Sequence, residues 1–282
     1  MSDETSPLLT RIDTPANVHI SFTGGKDSML VFHLIKLTMP HITIKKLVTF
    51  YPITDLAHPN AFIKVQAEAL GFPSEVLIIS NVPSYLECYR AYMKRFYDDD
   101  QVAALATGDI EDVGHGFMGK AAHPTGLRIF SPLFGIRRGT LLSQFQEYKL
   151  KPLITLISLV HVPLEVAFQV IGRFLDSETI QIIQAHNARV ACGIVKEADV
   201  CGKPNKHHLE VDLCGENGEF HTMCLDGSLY LKRVGLVDLA SGKETQGCKV
   251  PTKITDDGYG QYLHLDYNSG GGIGFELYDK GH

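Results

Sequence analysis

Thr23-Gly24-Gly25-Lys26-Asp27-Ser28 places two hydroxyls, two glycines, a cation and a carboxylate in six consecutive residues. That set can hold an anion. Paired glycines let the backbone turn sharply and approach a ligand, and the N–H groups that open a following helix face whatever lies in the turn. Lys26 adds a mobile positive charge, Ser28 a hydroxyl, and Asp27 either caps the helix or orients a metal ion. The spacing is neither the G-x-x-x-x-G-K-S/T of a Walker A loop nor the G-x-G-x-x-G of a dinucleotide fingerprint. A second carboxylate, Asp109, follows Gly108 at the end of an apolar run. Beside a phosphate-binding turn it either ligates Mg2+ on phosphate oxygens or caps the next helix.

Further along, Gly215-Glu216-Asn217-Gly218-Glu219-Phe220-His221-Thr222 concentrates polar groups between two glycines. Glu216 and Glu219 would lie on opposite faces of a strand and adjacent faces of a helix. A glycine-interrupted loop either turns both toward one ligand or leaves both in solvent. His221 is a hydrogen-bond donor, a base near neutral pH or a structural residue. Arg173 either makes a forked contact with a carboxylate or phosphate, or lies on a helix surface. Cys201, His207, His208 and Cys214 suit zinc by type, but their spacing is not that of a finger, so they are not assigned as a metal site. Tyr85, Tyr89, Tyr92 and Phe96 recur at helical spacing and read as a packed face.

The elements that must position these groups are legible upstream of Gly135. Val18, Ile20 and Phe22 alternate with Asn17, His19 and Ser21, predicting a half-buried strand, and Leu30, Leu34, Ile35 and Leu37 predict a helix stopped by Pro40. Lys46–Phe50 and Glu75–Ile79 read as strands, Ala61–Leu70 as a helix ended by Gly71, and Pro83 opens a helix to about Tyr97. Val102–Thr107 reads as a buried strand that delivers Gly108, Asp109 and Glu111 to the carboxyl edge of a parallel sheet, where ligands gather in open α/β folds. Beyond Gly135 the pattern predicts a helix at Thr140–Tyr148, a strand at Leu153–Val160 and helices around Leu164–Phe174 and Thr179–His186. Hairpins follow from His208 onward, with Tyr262–Tyr267 paired to Ile273–Leu277. The expected organisation is a loose tail over 1–16, a nucleotide-type α/β domain over 17–136 and a smaller α+β domain over 137–282.

The first motif resembles the S-G-G-x-D-S loop of PP-loop ATP pyrophosphatases, with Thr23 in place of the first serine. The Gly215–Thr222 segment, followed by Leu225-Asp226-Gly227, resembles the G-E-x-G-E-F/Y-x-T segment of the diphthine-ammonia ligase family within that group. Gly108-Asp109-Ile110, Pro132-Leu133-Phe134-Gly135 and Gly172-Arg173 with Leu175-Asp176 are partial matches, so the resemblance spans about 17–235. Phe134 stands where the family usually has Trp, and the Asp109-Ile110 and Cys214–Thr222 versions are similar to the branch also found in bacteria. The segment 242–282 has no counterpart. The resemblance implies a Rossmann-like sheet of the adenine nucleotide α hydrolase type, with ATP and Mg2+ as cofactors. It implies nucleotide contacts at Thr23, Gly24, Gly25, Lys26, Asp27, Ser28 and Gly108, with Lys26, Asp27 and Asp109 catalytic and the two aspartates holding Mg2+. It further implies that Arg173, Glu216, Asn217, Gly218, Glu219, His221 and Thr222 bind a carboxylate substrate, diphthine on translation elongation factor 2 or a related acid. The implied reaction forms an acyl adenylate and transfers it to free ammonia, since no glutaminase domain is recognisable, releasing AMP and pyrophosphate. Two alternatives stay open: a PP-loop enzyme of tRNA modification, and a nucleotide-binding regulator that senses ATP or AMP without turnover.

The whole chain agrees with an ordinary globular protein. Of 282 residues, 44% are hydrophobic and 21% charged, which excludes a largely disordered chain. The net charge of −6 gives no overall basic footprint, so nucleic acid is not an expected partner. The polar N-terminus lacks a secretory core, and Leu153–Val162 is too short and too polar to span a bilayer, so no membrane partner is expected. Six cysteines without a C-x-x-C pair point to reduced thiols in the cytoplasm.

Overall fold

The computed structural model describes residues 8–52, 58–112, 114–192, 210–245, 250–256, 258, 260–267 and 272–280. Cys201, His207 and His208 lie outside them, as do residues 268–271 of the glycine-rich turn. The chain divides into two compact units, 1–148 with 228–230, and 149–227 with 231–282.

The first unit holds a six-stranded, all-parallel sheet. It is built from β1 (Leu8–Leu9), β2 (Ala16–Ser21), β3 (Ile42–Pro52), β4 (Ser74–Ile79), β5 (Ala104–Ala106) and β6 (Arg128–Phe130), in the order β1-β6-β5-β2-β3-β4. The helices are α1 (Lys26–Thr38), α2 (Asn60–Leu70), α3 (Tyr85–Asp98), α4 (Phe117–Ala122) and α5 (Arg138–Glu147), with a short 3-10 turn η1 (His123–Thr125). The expected α/β class with a parallel sheet is what forms. After β2 the chain moves outward to β3 and β4, then returns to the other side of β2 for β5. The order therefore reverses between β2 and β5, and both candidate phosphate-site segments leave the sheet there.

Several local expectations hold for physical reasons. Gly71 ends α2 in the left-handed region (φ 59°), giving its N–H to the Ala67 and Glu68 carbonyls. Tyr89 stacks on Phe50 with ring centroids 4.4 Å apart, and Phe96 is buried, so that face of α3 packs as read, although Tyr85 is exposed. Pro83 does not open α3: Ser84 is its N-cap, accepting from the Glu87 N–H at 3.2 Å. The tail is not loose throughout, because Leu8–Leu9 adds a parallel edge strand to β6, with the Ser131 N–H donating to the Leu9 carbonyl at 2.7 Å. Helix α5, placed by sequence in the second domain, belongs to the first unit.

β2 is buried on both faces rather than half-buried, as a central strand of a helix-covered parallel sheet must be. Val18 and Ile20 are fully buried on one face, and His19 is 1% exposed on the other. His19 meets the edge of Phe96 and places Nε2 2.9 Å from Asp100 Oδ2. A neutral imidazole satisfies that contact, while its buried Nδ1 has no hydrogen-bond partner among the described residues, so protonation would strand an N–H. Burial accordingly holds His19 below its ordinary pKa against the opposing pull of Asp100. A base whose pKa is lower folded than unfolded loses stabilising effect as pH falls below the unfolded value, 6.5 for histidine. Burial alone would raise Asp100, but its His19 hydrogen bond and the Lys46 charge outweigh that and hold it low, so its contribution persists in this range. Denaturant midpoints should therefore drop between pH 7.5 and 5.5, and His19→Gln should flatten that slope; an unchanged slope in the variant would refute the assignment.

The second unit is α+β, as expected. Helices α6 (Leu164–Val170) and α7 (Ser177–Ala191) accompany two antiparallel sheets. One has the order β11 (Thr252–Asp256), β12 (Gln261–Leu265), β7 (Pro152–Ser158), β8 (Phe220–Cys224), and the other β10 (Lys243–Thr245), β9 (Lys232–Asp238), β13 (Ile273–Asp279). The expected pairing of Tyr262–Tyr267 with Ile273–Leu277 does not form. β12 pairs with β11 and β7, while β13 pairs with β9 over seven residues from Ile273↔Asp238 to Asp279↔Lys232. Among the described residues no helix is long and apolar enough to cross a membrane. Among the described residues, Cys88 and Cys192 are free thiols.

Candidate functional site

The Thr23–Ser28 turn leaves the carboxyl end of β2 and enters α1, whose N-cap is Gly25. Gly24 sits at φ +76°, where a side chain would be strained, and a Cβ there would fall 2.1 Å from Gln66 Oε1. The hydroxyls knit the turn: Ser28 Oγ donates to the Gly25 carbonyl at 3.1 Å and accepts from the Thr23 N–H at 3.3 Å, and Thr23 Oγ1 accepts from the Gly25 N–H at 3.4 Å. Thr23 thus contributes its hydroxyl to holding the turn. Lys26 is not mobile, being 5% exposed with Nζ 2.7 Å from Asp27 Oδ2. Nor does Asp27 cap the helix, since Gly25 occupies that position without a side-chain bond. Its other oxygen, Oδ1, is buried with no hydrogen-bond partner among the described residues.

Gly108 closes the site from the other side of the reversal point. A Cβ on it would lie 2.9 Å from the Asp27 carbonyl carbon, Asp27 Cβ and the Ser28 nitrogen, so the strand end packs directly on the first turn of α1. Asp109 follows, half-buried. Burial pushes its carboxyl above the ordinary carboxylate range, a hydrogen bond with Thr107 opposes this, and the charges of Asp27 and Asp112 add to it. The charge of Asp27 is thus felt at Asp109. The Pro132–Gly135 match lies under this loop: Gly135 N–H donates to the Ile110 carbonyl at 2.9 Å, and Arg138 pairs with Glu111 at 2.7 Å.

Residues that sequence reasoning missed hold the turn in place. Gln66 Nε2 donates to the Gly24 carbonyl at 2.8 Å and lies 3.4 Å from the Tyr230 hydroxyl, while His58 Nδ1 is 3.2 Å from the Thr23 carbonyl. Gln66 left a signal: it is a fully buried polar residue among Phe62, Ile63, Ala67 and Leu70 on the inner face of α2.

Glu216, Asn217, Gly218, Glu219, His221 and Thr222 belong to the second unit, as does Arg173. Glu219 is neither solvated nor turned to a ligand. It is 1% exposed, with Oε1 accepting from the Asp212 N–H (3.0 Å) and Asn217 Nδ2 (3.1 Å) and Oε2 from the Asn217 N–H (2.8 Å). The carboxylate thus clasps its own loop, whose turns use Gly215 and Gly218 at positive φ. Asn187 on α7 anchors the loop by a reciprocal pair with the Val211 backbone, at 2.8 and 2.9 Å. Glu216 is half-buried, Asn217, Gly218 and His221 are exposed, and Thr222 is buried. Arg173 pairs with Glu178 at 2.8 Å at the start of α7. Glu219→Ala should cost about 3 kcal/mol, because three bonds to a buried charge vanish and the donors are left unmet. Denaturation would read the loss, and amide exchange at Asp212 and Asn217 would locate it; a cost below about 1 kcal/mol would contradict the clasp.

No protein-family model matches this chain, and no curated protein matches it. Among solved structures, the U34-tRNA thiolase NcsA from Methanococcus maripaludis, determined with its 4Fe-4S cluster, is similar over 49% of this chain at 15% identity and a TM-score of 0.34. The match spans 58% of that protein's length, and a likeness this distant carries no weight for activity.

Proposed function

We propose that this chain is an ATP-dependent amide ligase that activates a carboxylate as its acyl adenylate, transfers it to ammonia, and releases AMP and pyrophosphate. One observation carries the reading. The Thr23–Ser28 turn and Gly108–Asp109 close on each other where the strand order reverses between β2 and β5, which is the crevice that takes ligands in open parallel sheets. A hydroxyl-knit glycine turn on a helix N-terminus suits a polyphosphate, and its residues match the S-G-G-x-D-S pattern with one conservative change.

In this mechanism ATP lies with its phosphates over the turn. An oxygen of the acid attacks the α-phosphorus, the new O–P bond forms, the bond to the bridging oxygen of the β-phosphate breaks, and pyrophosphate leaves with that electron pair. Ammonia then attacks the acyl carbon, the bond to AMP breaks, and the surplus proton passes to solvent. Lys26 and the first-turn N–H groups stabilise the charge that grows on the departing phosphates, which is the main catalytic term where no protein nucleophile acts. Two carboxylates with a buried unpartnered oxygen suit Mg2+, which takes one or two carboxylates plus phosphate oxygens, so Asp27 and Asp109 are its proposed ligands. When bound, Mg2+ would neutralise phosphate charge.

The acid is diphthine on elongation factor 2 or a related carboxylate, with Arg173, Glu216, Asn217, Gly218, His221 and Thr222 as proposed contacts and Glu219 as the residue that shapes their loop. Incubation with ATP, ammonium and diphthine-bearing factor should yield AMP and amide in equal amounts. ADP in place of AMP would reject the mechanism. Tight ATP binding with no pyrophosphate released under any acid would reject catalysis in favour of a regulator.

A further inference from the structure

Two peptide groups of the Thr23–Ser28 turn are gripped by side chains from α2 and from the residue two positions before it. The Thr23 carbonyl lies 3.2 Å from His58 Nδ1, and the Gly24 carbonyl accepts from Gln66 Nε2 at 2.8 Å. In a planar trans peptide the N–H of the following residue points opposite to the carbonyl. Holding both oxygens toward His58 and Gln66 therefore turns the N–H groups of Gly24 and Gly25 away from them. The Gly25 N–H makes a long contact, 3.4 Å, with Thr23 Oγ1, and among the described residues the Gly24 N–H meets no acceptor. Successive backbone N–H groups presented by a turn form an anion-binding concavity. The grip is close: the Gln66 amide fills the space that a side chain at Gly24 would need, with Oε1 2.1 Å and Phe62 Cε1 3.3 Å from that Cβ position.

We infer that Gln66 and His58 are positioning residues for the polyphosphate: by holding the Gly24 and Thr23 carbonyls they aim the Gly25 and Gly24 N–H groups at phosphate oxygens. The inference rests on the nucleotide reading above and names what sets the geometry of its cradle. Gln66 is fully buried on a helix face whose other members, Phe62, Ile63, Ala67 and Leu70, are apolar. Packing alone would be served at lower cost by another apolar side chain, because a buried amide must find partners for its polar atoms. Gln66 finds them in the Gly24 carbonyl and, at 3.4 Å, the Tyr230 hydroxyl. Only the amino end of the amide can face Gly24, since its oxygen there would meet a second acceptor. His58 likewise meets the Thr23 carbonyl as a donor, which requires a proton on Nδ1.

Calorimetric titration of the full chain with ATP and with inorganic tripolyphosphate tests this. Gln66→Met keeps the side-chain length without a donor and should weaken both ligands about tenfold or more. A purely structural glutamine would lower the denaturation midpoint and leave both affinities at the parent level, which would overturn the inference. Gln66→Glu supplies a signature that packing does not. A buried carboxyl is held protonated near pH 6 and can then donate its O–H to the Gly24 carbonyl, whereas ionisation at higher pH sets negative oxygen against it. Tripolyphosphate should therefore bind this variant more tightly than Gln66→Met at pH 6 and more weakly than Gln66→Met once the carboxyl ionises, each compared with the parent at the same pH. A Glu variant no better than Gln66→Met at pH 6 would overturn the inference; if it fails to fold, Gln66→Met decides. His58→Asn retains a donor and should bind like the parent, while His58→Leu should repeat the loss; equal binding by the two would overturn the part given to His58. A parent that binds tripolyphosphate but not ATP removes the nucleotide reading and leaves the variants to judge the grip, and a parent that binds neither removes both.

Discussion

Gly108→Ala should weaken ATP binding at least a hundredfold while leaving a folded protein. The added methyl would sit 2.9 Å from the Asp27 carbonyl carbon and the Ser28 nitrogen, and these are backbone atoms at the first turn of α1 that cannot rotate aside. Relief requires the β5 end and the helix start to separate by several tenths of an ångström, which displaces the N–H groups and Asp27 together. Overpacking of this kind costs about 1–3 kcal/mol, within the roughly 5–15 kcal/mol that stabilises a domain, so circular dichroism should still report a cooperative fold. Anion recognition by convergent short dipoles has no such tolerance, because each donor must reach its oxygen within hydrogen-bond distance. Equilibrium dialysis with ATP is the measurement, and a variant that binds like the parent would show that this approach does not shape the site.

Lys26→Ala should lower pyrophosphate release by about 100- to 1000-fold, the usual consequence of removing one preorganised donor from developing charge. The ammonium is buried against Asp27, and such a group gains electrostatic reach from the absence of water around it. Lys26→Arg should not rescue, since a space filled by a compact ammonium does not admit a planar fork. Turnover should fall further than ATP affinity, because the charge that Lys26 meets is greatest as pyrophosphate departs. Equal losses in binding and rate would recast Lys26 as a residue that only orders the turn.

The strand, turn and helix around Thr23 could be read from the chain because the hydrophobic period changes from two to near four across a glycine pair. β5 could be read from its small apolar run. β1 and β6, at two and three residues, are too short to show a period, and their existence depends on parallel pairing between Leu8 and Ile129, far apart in sequence. The pairing of Tyr262–Tyr267 with Ile273–Leu277 was a natural local reading of two alternating runs around glycines. β13 instead matches seven positions of β9, a longer ladder than the local turn offered. At Glu219 the sequence could place a carboxylate between glycines but not its direction, which depends on donors at Asp212 and Asn217 arranged by the folded loop.

Ser228–Tyr230 folds with the first unit although the chain on both sides of it belongs to the second. The Leu229 N–H donates to His33 Nε2 at 3.2 Å, while His33 Nδ1 lies 2.9 Å from the Met29 carbonyl, so this short visit fixes the tautomer of a fully buried ring in α1. Tyr230 brings its hydroxyl to the glutamine that steadies Gly24. A fragment ending at Tyr148 would therefore lack a piece of its own interior, and trimming the gene at that point would remove both of these stitches.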